Sequence, residues 1–273
     1  AKAGSGIKVM SDQIIGLHEW FETPPGQYLL NWERRCFEEG VADIFGYHGV
    51  QLGLPVLDTL AANRMPHHWR VVDDALPAWG RTISLRADFT ALPFAPVSLD
   101  LVTLPHTLEL SLDPHTTLRE VERVLVPEGR VVLSCINPVS LWGLAQRRAR
   151  LYQRLGGGGR LYLPEAGEFI GYWRLRDWLR LLGFEVESVR FGCYRPAVRG
   201  QRALDRTAWM EGLGDRWWPI LGAAYFIVAI KRVHGMRLLS PSWKSAPVRS
   251  GGQVSVANRR EPDGVARCKG QKN

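Results

Sequence analysis

Residues 85–138 read LRADFTALPFAPVSLDLVTLPHTLELSLDPHTTLREVERVLVPEGRVVLSCINP, and this stretch decides the fold. Ala87-Asp88 closes a short strand over 82–85, and Leu92-Pro93-Phe94 makes a turn. An apolar run over 99–104 follows Ser98-Leu99-Asp100 and predicts a second strand. It ends in Pro105-His106, with Leu108-Glu109 just beyond. Asp113 before Pro114 is a helix N-cap signal. Leu118, Val121, Val124 and Leu125 then recur on one face, predicting a helix over 116–125. Pro127-Glu128-Gly129 turns the chain into a third apolar strand over 130–136.

The flanks extend this alternation. A helical pattern over 20–46 places Leu29, Leu30, Trp32, Cys36, Phe37, Val41 and Ile44 on its apolar positions, and strands are predicted at 47–52 and 68–72, with a short helix at 56–62 between them. Strands alternating with helices imply a mostly parallel sheet with helices on both faces. Late in the chain, 173–182 reads as an amphipathic helix and 184–194 and 223–233 as strands.

This order resembles the class I S-adenosylmethionine (SAM) dependent methyltransferases, specifically the type-11 family. The resemblance rests on the acidic Asp88, the Pro-Phe turn, the strand ending at Pro105-His106, the helix and the fifth strand. It implies a Rossmann-like seven-stranded α/β sheet whose last strand runs antiparallel. It also implies S-adenosylmethionine as cofactor, held at the carboxyl ends of the strands where strand order reverses. On the matching positions, Gly53 stands in the turn after strand one, Asp73 or Asp74 is the candidate for the ribose hydroxyls, and Asp88 with Phe89 flanks the adenine. His106 lies past strand four, either as loop over the methionine moiety or as the base for an acceptor. The chain departs from the family in its first turn. The usual Gly-x-Gly-x-Gly is reduced to Gly53-Leu54-Pro55, and an alternative register around Gly46 and Gly49 would break the preceding helix early.

The domain expectation is a flexible N-terminus over 1–13, a methyltransferase domain over 14–235 and a basic tail over 236–273. The excursion at 139–172 is an insertion that serves as the acceptor lid. It carries a basic helix at 141–155, in which Arg147, Arg148, Arg150 and Arg154 oppose Leu141, Leu144, Leu151 and Leu155. That helix reads as a packed lid with a solvated basic face, as a site for a carboxylate or phosphate, or as a membrane-surface contact. Asn137, at the end of strand five, either bonds an acceptor or caps the next turn. Glu109 reads as a helix-start residue.

Charge is unevenly spread over the 273 residues. The net +8 sits entirely in 231–273, which holds ten Lys or Arg and two acids, leaving 25 of each sign in 1–230. The tail is also poor in large apolar residues, so it is expected to stay disordered. It acts either as a solubilising segment or as a contact arm for RNA, an acidic protein or anionic lipid. The four cysteines form no C-x-x-C pair, which gives zinc or dithiol chemistry no support, and Cys135 reads as a small core residue. No signal peptide is read at the N-terminus, and no apolar run reaches the ~20 residues that span a bilayer. A cytoplasmic location is expected. The function expected is methyl transfer to a small-molecule or lipid-like acceptor. The alternatives are a catalytically inactive binding scaffold on the same fold, and an RNA methyltransferase using the tail.

Overall fold

The computed structural model describes residues 19–73, 82–156, 161–163 and 168–232. Asp74 and the whole of 236–273 lie outside the described residues, as does the expected N-terminal segment 1–13.

Seven strands form one sheet: β1 His48–Leu52, β2 His67–Val72, β3 Leu85–Arg86, β4 Leu99–Pro105, β5 Leu125–Ile136, β6 Phe184–Gly192 and β7 Ala224–Lys231. Their order is β3-β2-β1-β4-β5-β7-β6. All pairings from β3 to β5 are parallel, and β7 inserts antiparallel between β5 and β6. The expected architecture is therefore present. β5 pairs with β7 from Arg130↔Ile230 to Ile136↔Ala224, so the start of β7 lies at the same rim as the ends of the parallel strands.

Local chemistry explains the helices. α1, Pro24–Ala42, starts where the Thr23 hydroxyl accepts from Gly26 N–H and prolines fill the first positions. It lays Leu29, Leu30, Cys36, Phe37 and Val41 into the core, and the Phe37 ring meets Phe226 of β7 edge-on at 5.0 Å. α2, Thr107–Leu110, is a single turn after β4. α3, Pro114–Val124, is capped by Asp113, whose carboxylate accepts from His115 and Thr116 N–H as the sequence predicts. α4, Leu141–Arg154, and α5, Tyr172–Leu181, precede β6.

Three expectations are corrected. β3 is the two residues Leu85–Arg86 rather than 82–85. The span 56–62 is a run of turns, not a helix. It is held by the buried Gln51, whose amide donates to Leu54 O (2.8 Å) and Leu57 O (2.7 Å) while its oxygen accepts from Thr59 N–H and Oγ1. One buried side chain thus satisfies the backbone groups that a helix would have paired internally. Between β6 and β7 the chain forms two helices the pattern did not announce, α6 Gln201–Arg206 and α7 Met210–Trp217.

No helix among the described residues is long and apolar enough to cross a membrane.

Candidate functional site

The rim at the carboxyl ends of β1 to β5 collects the candidate residues. Asp73 directly follows β2 and Asp88 follows β3 after one alanine. Both line one cavity of about 200 Å³, together with Phe89, Thr90, Ser111, Leu112 and Asp113. Asp88 Oδ1 accepts from Thr90 N–H at 2.8 Å and Thr90 Oγ1 at 2.7 Å, an Asx turn that fixes the carboxylate on the rim. Phe89 is buried beneath it. Asp113 is committed elsewhere. Its oxygens serve the α3 cap, and the hydrogen bonds from Thr116 hold its carboxyl below the usual range.

Gly53 directly follows β1 with φ +99°, a conformation L side chains rarely adopt. The space above its Cα is taken by Thr107, whose Oγ1 would stand 2.5 Å from a Cβ and which donates to Leu52 O at 2.6 Å. Leu54 and Pro55 are buried beside it. A SAM-sized ligand is therefore matched in halves. The two acids and Phe89 suit a nucleoside, whose hydroxyls and amino group need acceptors at two strand ends. At the glycine turn, where the amino-acid half would run in the resemblance, this chain packs Thr107.

His106 differs most from its expected setting. It adopts a left-handed backbone (φ +53°) between β4 and α2 and is wholly buried. Its Nδ1 lies 2.7 Å from Glu109 Oε2 and its Nε2 2.8 Å from Glu33 Oε1. Burial alone would push the imidazole down, but the two facing carboxylates outweigh it and hold the group up at about 10. Burial likewise raises Glu109 against the pull of His106. Glu109 Oε1 also accepts from Ile136 N–H, joining the cluster to β5. A base for an acceptor needs an uncharged nitrogen facing that acceptor. Here both ring nitrogens face carboxyl groups, Nδ1 that of Glu109 and Nε2 that of Glu33, with Phe21 packed against the ring, so neither nitrogen is open to an acceptor.

Asn137 is absorbed by the fold. Its Nδ2 donates to Ile220 O and Gly222 O, and its Oδ1 accepts from Val139 N–H. Glu109 is more than a helix-start residue, for the reason above. Glu33 was missed. The signal was an acid inside the apolar stripe of α1, between Leu30 and Phe37, where a solvated glutamate has no place.

The helix α4, expected from the sequence to be part of a lid, also departs from expectation. Its leucine face does not pack. Trp142 and Gln146 face inward, donating to Arg195 O (2.8 Å) and Leu163 O (3.0 Å), while Leu144, Leu151 and Leu155 are exposed. Arg147 and Arg150 join Arg174, Pro138, Gly143, Gln146, Glu168 and Phe169 around a cavity of about 290 Å³.

Comparison with known proteins fits this geometry. Residues 58–133 match the type-11 family described as Methyltransferase domain. The uncharacterized protein YafS of Escherichia coli strain K12 is 30% identical over 215 residues, which span 78% of this chain and 80% of that one. Among solved structures, a SAM-dependent methyltransferase of Thermotoga maritima, a possible histamine N-methyltransferase, superposes with TM-score 0.56 at 16% identity. The match covers 82% of this chain and 99% of that one. A chain of the complex between the Haloferax volcanii Trm112 methyltransferase activator and a methyltransferase gives TM-score 0.51 at 16% identity, with the same coverage. At such identities the structural matches speak to the fold alone.

Proposed function

The chain belongs to the class I, type-11 S-adenosylmethionine-dependent methyltransferases, with S-adenosylmethionine as the cofactor, and from that premise we propose that it transfers a methyl group to a small-molecule or lipid-like acceptor. The observation that carries this reading is the pair Asp73 and Asp88 on the wall of one rim cavity with Phe89. When bound, the cofactor supplies a methyl group made electrophilic by its sulfonium. The protein's task is then chiefly to hold two reactants in line, which can supply roughly 7–11 kcal/mol.

Asp73 would accept from the ribose hydroxyls, and Asp88, through the oxygen left free by Thr90, from the adenine amino group. Phe89 gives the base an apolar floor. We read His106 as a positioning residue rather than as the acceptor's base. Its clamp by Glu33 and Glu109 fixes the backbone from Pro105 to Leu108, and so sets where Thr107 stands over Gly53.

Thr107 over Gly53 favours a second reading, a methyltransferase fold kept as a binding module. Calorimetry with S-adenosylhomocysteine and thermal shift with S-adenosylmethionine separate the two. The enzyme reading expects a saturable shift with both ligands, and Asp88→Ala weakening S-adenosylhomocysteine by more than about tenfold, the loss of one charge-assisted hydrogen bond. No shift at saturating ligand selects the binding module.

A further inference from the structure

We propose that α4 is an interfacial helix that docks the protein on an anionic lipid surface. This stands on the helix itself and does not depend on methyl transfer.

The first observation is that α4 is built inside out. A helix packed on a domain normally turns its apolar stripe inward. Here the inward positions are Trp142, Gly143 and Gln146, all buried, and Gln146 spends its whole amide on the 161–163 segment, accepting from Tyr162 N–H (3.0 Å) and Leu163 N–H (2.9 Å) and donating to Leu163 O. Leu141, Leu144, Leu151 and Leu155, at i, i+3, i+10 and i+14, form the outward stripe. Leu151 is 58% exposed and Leu155 76%, and Tyr152 stands beside them. An apolar face turned to solvent marks a surface meant to be covered.

The second observation is charge. The helix LWGLAQRRARLYQR carries Arg147, Arg148, Arg150 and Arg154 and no acid. Arg148 sits within the stripe at i+7 from Leu141, where a long guanidinium reaches past leucines to a headgroup. Arg147 and Arg150 turn toward Arg174 around the 290 Å³ cavity on the flank of the stripe, which Glu168 also lines. Among the described residues none of these three arginines forms a salt bridge. Leucines outward with arginines along their edge is the arrangement of a helix lying in the plane of a negatively charged bilayer surface, where guanidinium groups pair with lipid phosphates. A protein partner would need an acidic, apolar groove, whereas an anionic bilayer offers both apolar depth and phosphates. Placed just past β5, the helix would bring the rim of the sheet against the lipid.

The test uses the full chain in vesicle co-sedimentation, with phosphatidylcholine alone and with phosphatidylcholine containing about one-third phosphatidylglycerol. Attraction between the Lys and Arg residues of 236–273 and the anionic lipid is screened at high salt. The helix is therefore read at high salt. The triple variant Leu144→Ser, Leu151→Ser, Leu155→Ser, all at exposed positions, is expected to lower partitioning onto the anionic vesicles by roughly tenfold there. Its circular dichroism should be unchanged. Arg147→Gln with Arg150→Gln and Arg174→Gln should lower binding to anionic vesicles and flatten its salt dependence. Unchanged partitioning of the leucine variant overturns the proposal. So does a wild type that ignores vesicles and forms a dimer dissociated by the same three substitutions, since the occupant is then a second copy.

Discussion

His106 Nε2 stands 2.8 Å from Glu33 Oε1, and this contact ties the first helix to the end of the fourth strand inside the protein. Both side chains are fully buried, and among the described residues neither Glu33 oxygen has a hydrogen-bond partner beyond this ion contact. With Glu109 on the other nitrogen, three titratable groups share one enclosed space. Removing one partner from a buried cluster strands the others, so such a cluster holds only while its protonation is right.

The sign of its pH dependence follows. The folded-state imidazole titrates at about 10, above the roughly 6.5 expected in an unfolded chain. Its contribution is fully present below the unfolded value and is lost as pH rises through the folded one. Glu109 is raised too, which acts in the same direction. Urea unfolding is expected to show stability falling between about pH 6.5 and 10, with a slope of up to about 1.4 kcal/mol per pH unit. His106→Gln should remove the imidazole's share of that slope, whatever it does to the absolute stability, and leave only what Glu109 contributes. A wild-type profile flat over this window would show that the imidazole is neutral.

Gly53 and Thr107 are expected to be coupled. Gly53→Ala places a Cβ at φ +99° and 2.5 Å from Thr107 Oγ1, so it should cost about 1–3 kcal/mol. Thr107→Ala removes the hydroxyl that donates to Leu52 O, worth about 1 kcal/mol. The double variant should cost less than the sum, because the clash is gone and only backbone strain remains. Strict additivity in a denaturation cycle would mean that the two residues do not touch.

Much of the fold was legible because its signals are local. The cap at Asp113, the apolar run of β4 and the stripe of α3 each needed only a dozen neighbouring residues. The antiparallel β7 was reached through the family resemblance. The site was half legible. The family resemblance offered Asp73 or Asp74, and Asp88, as candidates, and Asp73 and Asp88 share one rim cavity because each stands just past a strand end. The partner of His106 was missed, since no local pattern brings Glu33 across the chain to it, although Glu33 is an acid standing in the apolar stripe of α1. The failed helix at 56–62 has the same origin. Helical spacing was present, but the Gln51 amide offered that backbone a different set of bonds.

That makes Gln51 a sharp test of the turn after β1. Gln51→Leu keeps the volume roughly constant but leaves Leu54 O, Leu57 O and Thr59 N–H without their partner in a buried site. Buried unsatisfied groups cost about 1–3 kcal/mol each. A loss of at least about 2 kcal/mol by urea denaturation is expected. Faster amide exchange should follow, confined to residues 53–60 and distinguishable from global unfolding.

Three carboxylates border the rim cavity, and they are expected to behave differently. Asp113 is engaged by Thr116 and His115, and those bonds hold its carboxyl low. A depressed carboxylate contributes stability that is present above its unfolded pKa and lost as pH falls through the folded one. Asp113→Ala should therefore cost about 1 kcal/mol at neutral pH, the usual worth of an N-cap, with the deficit closing below about pH 4. Its S-adenosylhomocysteine affinity should stay within about twofold of wild type, since the side chain is already spent on the helix. Asp73→Asn should weaken the nucleoside several-fold, the loss of a charge-assisted acceptor. Calorimetry and urea titration on the two variants read both halves. If Asp113→Ala abolished binding and Asp73→Asn did not, the nucleoside would lie against α3 rather than between the second and third strands.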